Sequence, residues 1–132
     1  MSEEFKIEIV NPEKSFLSKE DAIEVVVPAY EGEMGILKNH ISIISFLKPG
    51  IITVQSKFGE EKFFVEDGII EFKDNNLSIL TSFISNLKDL DKNFIDESIK
   101  SAEKDLLDDN IIDQKKFLIT QKIETLKSIN SN

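Results

Sequence analysis

Apolar residues recur along this chain with two different periods, and the change of period divides it. Phe5, Ile7 and Ile9 alternate with Lys6, Glu8 and Val10, the period of two expected of a half-buried strand. Asn11-Pro12-Glu13 ends that run, and Ser15-Phe16-Leu17 reads as a short second strand before a polar turn, Ser18-Lys19-Glu20-Asp21. Ile23, Val25 and Val27 share one side of a third strand that stops at Pro28, because proline has no N–H to give to a ladder. A loop with spaced glycines, Ala29 to Gly35, follows; its Gly32 and Gly35 mark positive φ or close backbone approach. Ile36-Leu37 leads to His40, and Ile41 to Leu47 is another strand, ended by the turn Lys48-Pro49-Gly50.

Alternation resumes at Ile52 and Val54, and Lys57-Phe58-Gly59-Glu60 reads as a turn. Phe63 to Glu66 and Ile69 to Lys73 are strands joined by Asp67-Gly68, a strong short-range turn signal between apolar runs. Asp74-Asn75-Asn76 is the next turn, and Leu77 to Phe83 closes the series. Many short strands at close, regular spacing predict a sandwich or barrel. After about Asn86 the period becomes helical. Asp91 is placed to cap a first helix, on which Ile95, Ile99, Ala102 and Leu106 form a stripe. Asp108-Asp109-Asn110 interrupts the pattern, and Ile112, Ile119, Ile123 and Leu126 form the stripe of a second helix, with fraying expected over Ser128 to Asn132. The fold class is therefore α+β: a β-sandwich or barrel over residues 1–86, then an antiparallel two-helix hairpin over 87–132, with a short junction near Ser85 to Lys88.

Charge narrows the partners. The 132 residues carry a formal net charge of −9, so nucleic acid and anionic lipid would repel the chain. No apolar run approaches the roughly 18–20 residues that span a bilayer, and the acidic start Met1-Ser2-Glu3-Glu4 lacks the features of a signal peptide. A soluble protein without direct membrane insertion is the expectation. Cysteine is absent, which removes disulfides and thiolate metal sites. Against this acidic background the second helix is basic, with Lys115, Lys116, Lys122 and Lys127.

Candidate chemistry is sparse. His40 is the only histidine, and no nucleophile or acid is singled out as its partner; a surface or interface histidine is the simpler reading. Gly32-Glu33-Met34-Gly35 lacks the Lys-Ser/Thr ending and following helix of a phosphate loop, and Glu31 and Glu33 would repel phosphate. The carboxylate pairs Glu60-Glu61, Asp89 with Asp91, and Asp108-Asp109 lack the ligand spacing of a calcium loop. No catalytic residue, metal site or cofactor is expected. Phe117, on the opposite face from Ile119 and Ile123, reads as an exposed contact residue.

The stretch from Val25 to Gly50 resembles the signature of the epsilon subunit of F-type (rotary) ATP synthases. In that family a valine-rich strand ends at a proline and is followed by a Gly-Glu-x-Gly loop, a histidine and a Leu-Lys-Pro-Gly turn. Here these are Val25 to Pro28, Gly32-Glu33-Met34-Gly35, His40 and Leu47-Lys48-Pro49-Gly50. The likeness continues through Phe64 to Glu71, although Asp67 stands where the family often has a glycine. Lys38-Asn39 replaces the usual Pro-Gly before the histidine, and Ser42 a common proline after it, so a looser loop is expected.

The resemblance implies that residues 1–86 are a flattened β-sandwich, not a barrel, and that the chain is a non-catalytic central-stalk subunit, bound to the gamma subunit and the c-subunit ring and turning with them. It would help couple proton-driven rotation to ATP synthesis, peripheral on the cytoplasmic face of a bacterial inner membrane or on the matrix or stroma side of an organelle. Glu31, Gly32, Glu33, Met34, Gly35 and His40 would be rotor contacts. The hairpin would restrain ATP hydrolysis, its lysines Lys115, Lys116, Lys122 and Lys127 meeting acidic residues of the catalytic hexamer. Some members bind ATP through Ile/Leu-Asp-x-x-Arg-Ala. Here Leu90 and Asp91 fit, but Phe94 and Ile95 stand in the Arg and Ala positions, so tight ATP binding is not expected. The alternative is a free-standing ligand-binding sandwich with a helical dimerisation hairpin.

Overall fold

A computed structural model describes residues 3–130, and among these the chain forms nine strands and two α-helices. In order they are β1 (Phe5–Asn11), β2 (Lys14–Ala29), β3 (Gly32–Leu37), β4 (Ile43–Leu47), β5 (Gly50–Ser56), β6 (Gly59–Val65), β7 (Gly68–Lys73), β8 (Asn76–Leu80) and β9 (Ile84–Asn86). A 3₁₀ turn, Leu87–Asp89, leads to α1 (Lys92–Asp105) and α2 (Asp113–Asn130). Strands followed by two helices are what the change of period predicts, and the sandwich is what the resemblance implies. Ser128 to Asn130 stay helical, whereas the last two residues of the expected fraying segment lie outside the described residues.

The strand β2 is the organiser, and it corrects the sequence reading. Instead of a short strand, a polar turn and a third strand, 16 residues run unbroken. The N-terminal half pairs with β1 and the C-terminal half with β3 and β5. The supposed turn Ser18–Asp21 is strand because its backbone has partners in β1 (Ile7↔Lys19, Glu8↔Ser18), and paired backbone outweighs a polar local composition. A register shift lies between Ala22 and Glu24, and such a bulge resets the alternation of faces. Ala22, Val25 and Val27 are therefore fully buried while Ile23 is only half-buried, against the expectation that Ile23 faces the core.

One layer of the sandwich is β1-β8-β7-β4, with β1 and β8 parallel, and the other is β3-β2-β5-β6-β9. Ala29 at the end of β2 pairs with Leu47 of β4, so the ladder passes from one layer to the other. The space between is filled by the inward side chains of both layers, among them Ile7, Ile9, Val25, Val27, Ile52, Phe63, Ile70, Phe72, Leu77 and Ile79. Asp67-Gly68 is not a hairpin: β6 pairs with β5 and β9, β7 with β4 and β8. The two residues carry the chain between layers. The Asp67 carboxylate there accepts bonds from the Ser82 amide (2.9 Å) and hydroxyl (2.7 Å), pinning the connection into β9. Asp74-Asn75 is the true tight hairpin, with φ of 52° and 60°, the left-handed pair that a type I′ turn demands.

The hairpin lies on the outer side of the β6 layer. Phe63 and Val65 point into the sandwich, but Phe64 between them points outward and is buried with Ile95 and Leu126. Phe83, Leu87, Leu90, Ile99 and Ile129 pack around that cluster. Asp91 caps α1, its carboxylate accepting the Phe94 amide at 2.7 Å. The stripe read for α2 is corrected at its start. Ile123 and Leu126 are buried and Ile119 half-buried, but Ile112 precedes the helix and is 65% exposed.

Candidate functional site

The Gly32-Glu33-Met34-Gly35 segment is a strand, not a loop. It forms the first part of β3, paired with Val26 to Ala29 of β2, and only Tyr30-Glu31 make the turn. Both glycines have the roles their type suggests. Gly32 has φ +140°, and a Cβ on Gly35 would lie 3.3 Å from a Glu24 carboxylate oxygen. Side chains alternate along β3: Glu33 is exposed, Met34 packs on the sandwich core, and Ile36 is fully buried. The Tyr30–Met34 tip faces Ile43–Phe46 of β4 across a groove of about 520 Å³. The Tyr30 amide donates to the Phe46 carbonyl at 3.2 Å and the Lys48 amide to the Pro28 carbonyl at 3.0 Å, which ties the tip to the Lys48-Pro49-Gly50 turn.

His40 is not part of this group. The length of β3 from Gly32 to Leu37 separates it from the tip by roughly 16 Å at ~3.3 Å per strand residue. Its ring sits edge-on to Phe72 at 5.9 Å, and Nδ1 is 2.8 Å from the Ile41 carbonyl. The expected looseness before it is not seen. Asn39 adopts φ 68°, its amide donates to Asn75 Oδ1 at 2.7 Å, and its own Oδ1 accepts from Asn75 Nδ2 at 3.1 Å. The asparagine that replaces a glycine tolerates the left-handed backbone and is anchored to the β7–β8 turn. Glu31, Gly32, Glu33, Met34 and Gly35 therefore lie together at one end, and His40 near the other.

An exposed apolar row on the outer surface is a feature the sequence reading does not contain. On the outward side of the β4-β7-β8-β1 layer, Phe46 pairs with Ile69, Ile69 with Leu80, and Leu80 with Val10. Phe46 (61%), Ile69 (42%), Leu80 (54%) and the neighbouring Ile44 (69%) are exposed. A second groove of about 590 Å³ borders this row and shares Tyr30 and Phe46 with the first. The signal was present as apolar doublets, Ile43-Ile44, Phe46-Leu47, Ile69-Ile70 and Ile79-Leu80. One member of each faces the core, and the other faces out. A half-solvated strand would place a polar residue there, and a contiguous exposed apolar row marks an interaction surface.

The remaining candidates are absorbed into structure. Leu90 and Ile95 pack in the hairpin cluster, Asp91 caps α1, and Phe94 stacks on Phe83 at 6.1 Å. Lys115, Lys116 and Lys127 are exposed, whereas Lys122 is half-buried and ion-paired with Glu66 at the end of β6. Phe117 is 41% exposed, as expected of a residue off the apolar stripe, and the Lys48 ammonium lies 5.7 Å from its ring centroid. Among the described residues, no three His, Asp or Glu side chains converge to hold a metal, and no helix is long and apolar enough to cross a membrane.

Residues 4–86 match the family model described as ATP synthase, Delta/Epsilon chain, beta-sandwich domain. The ATP synthase epsilon chain of Pelagibacter ubique is 68% identical over 130 residues, covering 98% of this chain and all of that one. The epsilon chain of Parvibaculum lavamentivorans is 33% identical over 98% of this chain and 97% of its own. In fold, the chain is similar to one in the cryo-EM structure of the Euglena gracilis mitochondrial ATP synthase, described as OSCP/F1/c-ring. The TM-score is 0.80 at 20% identity, covering 97% of this chain and 82% of that one. With a chain of the Tetrahymena thermophila mitochondrial ATP synthase central stalk and c-ring the TM-score is 0.65 at 14% identity, over 98% and 96%. The signature stretch, the sandwich with its two helices and these relatives agree, and the chain belongs to the ATP synthase epsilon-chain family.

Proposed function

We propose that this chain is a non-catalytic rotor subunit of the central stalk of a proton-translocating ATP synthase, held at the membrane only through its partners. On this reading the gamma subunit covers the outward face of β4-β7-β8, and the Tyr30–Met34 tip reaches the ring of c subunits. The carrying observation is the contrast between the two outer faces of the sandwich. The hairpin covers Phe64 on one, while Phe46, Ile69, Leu80 and Ile44 on the other are exposed, with no cover among the described residues. A rotor component must be clamped so that torque does not slip, and a wide apolar row with grooves on its flank supplies such a clamp. The acidic tip with Glu31 and Glu33 suits the solvated end of a contact more than its dry centre. The two helices then restrain ATP hydrolysis when they leave the sandwich for the catalytic hexamer, on the cytoplasmic side in a bacterium.

Single cysteines test the arrangement in the assembled complex. Cysteine at Glu33 should cross-link to the ring, and cysteine at Phe46 to gamma. His40, far from the tip, should report a different neighbour from Glu33. Cross-links to the ring from Phe46 but none from Glu33 would reverse the orientation.

A further inference from the structure

The hairpin meets the sandwich through a small apolar seat. Phe64, Ile95 and Leu126 are its fully buried members, so parting the two should cost far less than unfolding either. Polar contacts at the rim then matter in proportion. They gather at one end of the β5–β6 ladder, where Gly50 pairs with Val65. Glu66, the residue after Val65, pairs with Lys122 of α2. Lys48, two residues before Gly50, lies over the ring of Phe117, just over one helical turn before Lys122. Both contacts link α2 to the same edge of the sandwich, and both use a residue outside the apolar stripe of α2.

We propose that Lys122–Glu66 and Phe117–Lys48 form a latch that sets how often α2 leaves the sandwich. The latch rests on the proposed release of α2 from the sandwich, and its test needs no partner, so its failure leaves the stalk assignment standing. It also joins the hairpin to the signature turn. Lys48 belongs to the Lys48-Pro49-Gly50 turn, whose backbone is hydrogen-bonded to Pro28 beside the Tyr30–Met34 tip. Lys122 is in this account a lysine occupied in the docked state and freed on release, unlike the exposed Lys115 and Lys116.

Amide hydrogen exchange on the full isolated chain tests it. Side chains of the pair are 29% and 32% exposed, so the change expected for K122Q is modest, roughly two- to fivefold faster exchange across α2. K122E should do more, since it sets two carboxylates together, and so should E66K, which sets two ammonium groups together. The double swap K122E/E66K should return exchange toward the native rate, while K115Q/K116Q should leave it unchanged. F117A should add to K122Q. Protection in β1 and β2 reports that the sandwich is intact in each variant. Exchange in α2 unchanged by K122E and E66K, or a double swap that only sums the two single effects, would overturn the latch.

Discussion

At Gly50 a single hydrogen in place of a methyl decides whether the signature turn closes. An added Cβ would lie 2.5 Å from Pro28 Cβ, and both residues are buried. Gly50→Ala is expected to lower stability by about 1–3 kcal/mol, read as a lower urea midpoint at unchanged slope. The proline and glycine were legible in the sequence as strand end and turn; that they are packed on each other was not, because 22 positions separate them. Asp67 shows the reverse case. As a residue type it signalled a hairpin, yet its carboxylate is bound to Ser82, 15 positions on. Asp67→Ala should cost about 1 kcal/mol by leaving the Ser82 amide without that acceptor, and thermal unfolding would show it. A variant as stable as the native chain would mean that solvent replaces the bond without loss.

Element by element, period two located the strands well where one face is dry, as in β1, β5 and β7, whereas the run read from Leu77 to Phe83 stops at Leu80 and a separate β9 follows. The period failed where the environment is not one-sided. The first half of β2 carries Ser18 to Asp21 in register with β1, and polar residues on a paired strand look like a turn when the partner is unseen. β3 was hidden by its glycines, which lower strand propensity but allow close approach to Glu24. Among the helices, the cap at Asp91 and the stripe from Ile95 to Ala102 were legible, whereas Ile112 was over-read because a stripe does not say where its helix begins. Leu126, fully buried against the sandwich and α1, is the element-scale test. Leu126→Ala should destabilise by about 2–5 kcal/mol and should loosen both helices while leaving exchange in β1 and β2 slow. Uniform loss of protection across the whole chain would show that hairpin and sandwich unfold as one unit. At the start of α1, Phe94, stacked on Phe83, stands at the arginine position of the ATP motif that the resemblance brought in, so calorimetry of the isolated chain with ATP should show no sub-millimolar binding.

For the whole molecule, the account assigns the two outer faces of the sandwich to two kinds of contact, an internal one with the hairpin and an external one with the stalk. A chain ending after Leu87 keeps the external face and should still assemble. Its complex should hydrolyse ATP faster than the full-length one, and replacing Lys115, Lys116, Lys122 and Lys127 by glutamine should give part of that gain. Equal hydrolysis in both, with assembly verified, would make the hairpin a structural cover and not a restraint. The external face itself carries the central claim. Ile69 and Leu80 are neighbours in register and exposed, so Ile69→Lys/Leu80→Lys should leave the melting temperature of the isolated chain nearly unchanged. The decisive measurement is co-purification of this double variant, as the cell's only copy, with the gamma subunit and the c ring from detergent-solubilised membranes. The account predicts that the native chain is recovered in the complex and the variant is lost from it. Recovery of the variant in equal amount would contradict the assignment of this face to the stalk.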